Sequence, residues 1–385
     1  MKKLAIVITH PVQYYAPIFE LLHRRGVVAV KVFYTIGTKN EQYFDPGFGK
    51  TVAWDIPLLE GYPSVFLENV AERPGSHHFN GIINPGLISE VNQFAPDAIL
   101  FFGWAYQSHL KAIRHFKGKK TVYFRGDSTL LDKPQSFRRL LKPLFLRWIY
   151  KHIDHAFYVG TNNKRYFEVY GLKGKQLSFA PHAIDNDRFA LDRNSEAKQL
   201  REALGIRDEE MLILFAGKFI RKKSPQLLLD AFLGLIRPAV HLLFVGDGEL
   251  EQELKAKSQH HRRVHFMEFQ NQSQMPVIYQ SCDLFCLPSE GPGETWGLAV
   301  NEAMASGKAI LVSDKVGCAT DLVKEKSGAI FNAGSIAGLK EKIEVLTHSK
   351  AGLRELGNGS RVLIEDWNFT RIAETIEQQL INDVI

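Results

Sequence analysis

The chain opens on an apolar run at residues 4–9 and repeats the pattern at 27–35, 98–102, 121–125 and 156–159. Short runs of this kind, bounded by polar residues, predict buried strands. Between them apolar residues recur at helical spacing: Ile18, Leu21 and Leu22 share a face beyond Pro17, and Leu87, Ile88, Val91 and Phe94 share one beyond Pro85. Proline suits a first helical turn, where no N–H is needed. Buried strands alternating with covering helices predict a mostly parallel, doubly wound sheet. Residues 36–80 follow neither period and read as loops with short hairpin strands.

The alternation restarts after a polar stretch at 185–201, with strands at 211–216, 241–245, 264–267, 284–287 and 309–313. Helical spacing separates them at 225–235, 250–257, 298–306 and 336–346. The fold class is therefore α/β, with two Rossmann-like doubly wound domains, residues 1–185 and 186–367. A terminal segment, 368–385, carries a last helix over 370–381. Open parallel sheets bind ligands beyond the carboxyl ends of their strands, so two facing domains predict an interdomain cleft. The 385 residues agree, at roughly 150 per domain.

Apolar residues make up 45% of the chain and charged residues 23%, a balance that excludes wholesale disorder. The net charge of +6 welcomes anionic ligands, but no complete recognition motif accompanies it and nucleic acid is not expected. Much of that charge is local: residues 111–151 hold 12 Lys plus Arg against Asp127 and Asp132. There Phe137, Leu140, Leu141, Leu144, Phe145 and Trp148 mingle with Arg138, Arg139, Lys142, Arg147 and Lys151 in a helical stretch that Pro143 should bend or divide. Two readings stand, an anionic membrane surface as partner and a domain helix with a solvated basic face.

Met1-Lys2-Lys3 and the apolar run after it imitate a secretion signal, but Thr9, His10, Pro11 and Gln13 cut the run short. No stretch reaches the roughly 18 apolar residues of a membrane span. Cys282, Cys286 and Cys318 cannot all pair and lack zinc-cluster spacing. A cytoplasmic location is expected, free or peripheral on the inner face of the plasma membrane.

The densest chemistry lies at 288–307, PSEGPGETWGLAVNEAMASG, a Gly-rich loop after a strand and before a helix. Such a turn offers backbone donors to an anion. Glu294 and Glu302 stand on loop and helix, where two carboxylates suit sugar or ribose hydroxyls; a solvated acidic cap is the alternative. Gly217 and Lys218 begin a second loop, which continues through Arg221, Lys222 and Lys223 to a helix at Pro225. Its cations can neutralise a diphosphate or simply form a charged surface turn. No GxGxxG follows the first strand, so a dinucleotide cofactor site is unsupported.

These pieces, in this order, resemble the retaining, nucleotide-sugar-dependent glycosyltransferases of family 4, with the GT-B fold. The resemblance covers most of residues 170–385. It implies that Glu294 meets donor-sugar hydroxyls and Glu302 the ribose, while backbone groups of Thr295, Trp296, Gly297 and Leu298 cradle phosphate. It further implies that Lys218 and Lys223 hold the diphosphate, with lysine replacing the usual arginine at 218. The segments 181–189, Gly246-Asp247-Gly248, Asp283, Pro288-Ser289 and 314–317 also match. Residues 290–293 lengthen the Gly-rich loop, which implies altered donor-sugar selection. By the same resemblance the last helix crosses back onto the first domain.

The first half matches less well. His10, Gln13 and Tyr14 follow the first strand, and Trp104 and Tyr106 follow the one at 98–102, where they can contact an acceptor or fill core and cap positions. Where many relatives carry a histidine, this chain has Arg125-Gly126-Asp127-Ser128. Arginine cannot titrate as a base, so Arg125 is expected to bind an anion or sugar oxygen with Asp127 orienting it, or else to form an ion pair at the sheet edge. The implied reaction moves a glycosyl unit from a nucleoside diphosphate sugar, the donor substrate, to a glycan or lipid-linked saccharide in cell-surface polysaccharide assembly, with no cofactor and no metal. The alternatives are a nucleotide-sugar 2-epimerase and a non-catalytic sugar-nucleotide-binding protein.

Overall fold

The computed structural model describes residues 1–37, 43–45, 50–132 and 138–383. They form two compact units. The first comprises residues 1–41, 57–182 and 369–385, and the second residues 42–56 and 183–368.

In the first unit the strands are β1 (Lys3–Ile8) and β2 (Ala29–Tyr34); β3 (Tyr43–Asp45) and β4 (Lys50–Val52) pair antiparallel and group with the second unit. Next come β5 (Ser64–Phe66), β6 (Ala98–Phe102), β7 (Thr121–Arg125), β8 (His155–Tyr158) and β9 (Leu177–Phe179). They make one parallel sheet in the order β5-β2-β1-β6-β7-β8-β9. Leu4 to Val7 and Ala98 to Phe101 are wholly buried, as strands covered on both faces require. The helix Ala16–Arg25 starts with proline in its first turn and ends at Gly26, whose φ of 64° is the left-handed stop that glycine permits.

The second unit holds β10 (Met211–Ala216), β11 (Val240–Val245), β12 (Val264–Met267), β13 (Leu284–Leu287), β14 (Ala309–Ser313) and β15 (Gly328–Phe331). This sheet is also parallel, ordered β12-β11-β10-β13-β14-β15. Ser335 and Ser349 accept from Gly338 N at 3.0 Å and Gly352 N at 3.1 Å, capping the helices Ile336–Leu346 and Lys350–Ile364.

Several expectations change. The polar stretch at 185–201 carries helices Asn186–Ala190 and Asn194–Ala203, which the sequence pattern did not predict. Residues 42–56 and 183–185 belong to the second unit, not the first. Pro143 does not divide the basic helix, which runs unbroken from Arg138 to Tyr150; Phe137 and the side chains of 138–141 lie outside the described residues. The helix Phe369–Asn382 returns to the first unit, where Glu377 takes Arg25 Nε at 3.0 Å on both oxygens and Leu380 O accepts from Lys2 at 2.8 Å. All three cysteines are buried free thiols. Among the described residues no helix is long and apolar enough to cross a membrane.

Candidate functional site

The carboxyl ends of β10, β11 and β13 carry three loops that lock together through their backbones. After β10, Phe219 N donates to Asp247 O at 2.8 Å, and Leu250 N donates to Phe219 O at 3.0 Å. The loops approach so closely that a Cβ on Gly246 would lie 2.1 Å from Gly217 O, and one on Gly248 would lie 2.6 Å from Phe219 O. Only glycine fits. From the Gly-rich loop, Glu290 N and Gly291 N donate to Lys222 O at 3.0 and 3.3 Å, and Lys222 Nζ donates to Gly293 O at 3.3 Å.

This lacing brings Lys223 and Glu294 into contact. Lys223 Nζ sits 2.7 Å from Glu294 Oε2, and Ser289 Oγ donates to the same oxygen at 2.9 Å. Only 18% of the lysine side chain and 7% of the carboxylate side chain are exposed, so the charges meet in a largely dry setting where their attraction is strong. Glu294 O accepts from Gly317 N at 3.1 Å, and Trp296 O accepts from Cys318 N at 2.9 Å. A second strand-end loop, after β14, thereby braces the first.

Gly297 stands before the helix Leu298–Ala305 with φ of 96°. A residue with a side chain would be strained there and would also push against Val316 at 2.9 Å. The Trp296 side chain is buried against Trp367, and its Nε1 donates to Asn301 at 2.9 Å. Only its backbone can therefore face a ligand, while Thr295 and Leu298 beside it are half-buried. Glu302 is also buried and accepts from Tyr279 OH at 2.8 Å. Nothing in the spacing of the sequence identified Tyr279 as its partner. Lys218 is half-buried in the loop that starts at Gly217.

The first unit gathers a separate cluster at the carboxyl ends of β1, β6 and β7. Here Arg125 departs from expectation. It is 1% exposed, and its NH1 and NH2 donate to Ala180 O at 2.7 Å and Pro181 O at 2.8 Å. The guanidinium is thus a buried clamp on the segment after β9, neither an edge ion pair nor a group turned outward to an anion. That clamp sets His182, whose Nε2 lies 3.8 Å from Asp127 Oδ2 and whose ring stacks on Tyr15 at 5.9 Å. Burial pushes the Tyr15 phenol above its usual range and the His182 imidazole below its own.

His10 Nδ1 meets Thr9 Oγ1 at 3.0 Å, and Gln13 and Tyr14 are half-buried nearby in sequence. Trp104 packs edge-on to Phe145 at 5.8 Å and against the core, and Tyr106 OH donates to Ser76 O at 3.3 Å. Both aromatics thus have packing roles. Behind them His109 bridges Thr35 Oγ1 at 2.9 Å and Gly103 O at 3.1 Å, and burial lowers it to about 4, so it is neutral near pH 7. His182 lies within the matching segment 181–189 and Tyr15 next to Tyr14, but nothing in the sequence announces that their rings stack or that His109 bridges Thr35 and Gly103.

Residues 196–362 match the sequence family described as Glycosyl transferases group 1. The sulfoquinovosyl transferase SQD2 of Arabidopsis thaliana is 25% identical over 301 residues, 74% of this chain and 57% of that protein. Mannosylfructose-phosphate synthase of Agrobacterium fabrum is 30% identical over 159 residues, 38% of this chain and 34% of the relative. The chain spans about half the length of the first curated relatives it matches. Among solved structures, Anabaena Alr3699/HepE in complex with UDP-glucose aligns with a TM-score of 0.72 at 17% identity, covering 99% of this chain and 100% of that one. Sucrose-phosphate synthase from Thermosynechococcus elongatus aligns with a TM-score of 0.75 at 17% identity, covering 98% of each chain. The fold is that of the GT-B glycosyltransferases, built from two Rossmann-like domains with parallel sheets.

Proposed function

We propose that this protein is a retaining glycosyltransferase of family 4, moving a glycosyl unit from a nucleoside diphosphate sugar to a hydroxyl of a glycan or lipid-linked saccharide in cell-surface polysaccharide assembly. The observation that carries the reading is the buried Lys223–Glu294 pair at 2.7 Å, held where the strand-end loops of a group 1 domain converge. Lys223 and Lys218 take the diphosphate, and Glu294 takes donor-sugar hydroxyls. Glu302 takes the ribose, and the backbone of Thr295, Trp296, Gly297 and Leu298 supports the phosphate as charge develops on it. Acceptor recognition falls to the first unit, through His10, Gln13 and Tyr14, with Asp127 beside His182. Relatives that transfer sugars and a fold neighbour described with UDP-glucose support the donor class.

Incubation with a panel of nucleoside diphosphate sugars and saccharide acceptors, followed by mass spectrometry, should yield glycosylated acceptor together with nucleoside diphosphate. Donor binding without any transfer across the panel, or epimerised donor formed without acceptor, would overturn the reading.

The basic helix extends the proposal to a membrane surface. Leu144, Phe145 and Trp148 are 64%, 45% and 39% exposed, and Lys142 and Arg147 stand exposed among them, while Leu146, Ile149 and Tyr150 face the core. A purely solvated face would not present three large apolar groups together. The full chain should co-sediment with phosphatidylglycerol vesicles more than with phosphatidylcholine vesicles. Leu144→Ser with Trp148→Ser should weaken that binding about tenfold or more. Equal sedimentation of both proteins would remove the membrane assignment.

A further inference from the structure

The amino-terminal edge of the second unit's sheet, opposite the loops just described, holds a cavity of about 320 Å³. Arg201, Asp283, Lys308, Lys350 and Arg354 line it. Asp283 immediately precedes β13 and Lys308 immediately precedes β14. Arg361 adds a further cation at the rim: its guanidinium packs on Gly307 so tightly that a Cβ there would lie 2.3 Å from Nε.

The hydrogen bonds of these cations do not cancel their charge. Arg201 donates to Ser281 O, Arg207 O and Glu210 O at 2.6–3.1 Å and meets one carboxylate, Asp283, at 3.1 Å. Lys350 donates to Asp208 O and to Glu210 O at 2.6 Å and lies 3.5 Å from that same carboxylate. Among the described residues Lys308 donates only to Gln280 O, at 2.9 Å. A carbonyl satisfies an N–H but leaves the positive charge in place. Five cations therefore face Asp283 and the exposed Asp208, which already pairs with Lys198 at 3.5 Å. Burial holds Lys308 and Lys350 below the usual lysine range, and the neighbouring arginines push them the same way.

We propose that this cavity is a binding site for a small phosphate-bearing ligand, contacted by Lys308 and Arg354 within the field of Arg201, Lys350 and Arg361. Among the described residues Lys308 keeps two N–H donors and Arg354 makes no ion pair. The volume suits a phosphate ester of a small metabolite. This site goes beyond the transferase reading, which gives Lys308 and Arg354 no role.

Calorimetric titration of the full chain with inorganic pyrophosphate tests the proposal. A site should survive Lys218→Ala, which removes a lysine of the proposed donor loop. Arg354→Glu and Lys308→Met should each weaken that surviving site at least tenfold. Arg354 is exposed, so its variant retains the fold even if the Lys308 variant does not. Isotherms of both variants that superimpose on that of the unmodified protein would overturn the proposal. Loss of all pyrophosphate binding in Lys218→Ala alone would do the same.

Discussion

Glu294→Gln should lower the rate of glycosyl transfer about a hundredfold or more while the chain stays folded. The amide keeps the size of the carboxylate and still accepts from Ser289 Oγ, now 2.9 Å from Oε2. It cannot neutralise Lys223, which sits 2.7 Å from that oxygen with 18% of its side chain exposed. An uncompensated cation in such a place costs stability, at most about 3 kcal/mol, the lower end for broken buried pairs because the lysine is not fully enclosed. Steady-state kinetics with varied donor, beside a thermal melt, separates the two effects. Unchanged donor kinetics would remove Glu294 from the site. Lys223→Met should show strong non-additivity with Glu294→Gln, since each variant destroys the same pair.

Gly317→Ala should be the most disruptive single methyl in the molecule's donor region. The added Cβ would fall 1.7 Å from Thr295 O and 2.9 Å from Trp296 N. Both are backbone atoms of the loop that carries Glu294, and no side chain can rotate to relieve the contact. The loops after β13 and β14 must separate, which also strains the Gly317 N to Glu294 O hydrogen bond at 3.1 Å. Overpacking of this kind costs about 1–3 kcal/mol, and the expected loss is at the upper end because only backbone can move. Chemical denaturation reads the stability, and a titration with the nucleoside diphosphate released in the transfer assay reads the loop. A variant as stable as the parent would show that the loops are not braced in this way.

The interior of both sheets was legible in the sequence because its strands are continuous apolar runs. Those at 98–102, 121–125, 211–216, 284–287 and 309–313 have the expected bounds. The strands that escaped, β5, β9 and β15, lie at sheet edges and span three or four residues each. Half-exposed side chains give such strands no apolar run to recognise. The helix Asn194–Ala203 buries only Ala197 and Arg201, so its composition read only as a polar stretch. At the site, Lys223 and Glu294 could be picked out from motif order. Arg125 could not be placed, because nothing in Arg125-Gly126-Asp127 announces that the guanidinium will turn inward onto Ala180 O and Pro181 O. Long-range backbone acceptors leave no local signature.

The return of the helix Phe369–Asn382 to the first unit has a consequence for synthesis on the ribosome. Residues 183–368 emerge before the segment that supplies Glu377 to Arg25 and Leu380 O to Lys2. The unit begun first is therefore completed after the second. The second unit has all its residues once Asn368 is out, while the helix Ala16–Arg25 still lacks its partner and keeps apolar surface uncovered. Domains usually complete in the order they are made. Here the nascent chain holds a folded later unit and an unfinished earlier one, and the helix Phe369–Asn382, which leaves the tunnel after residue 368, closes the first.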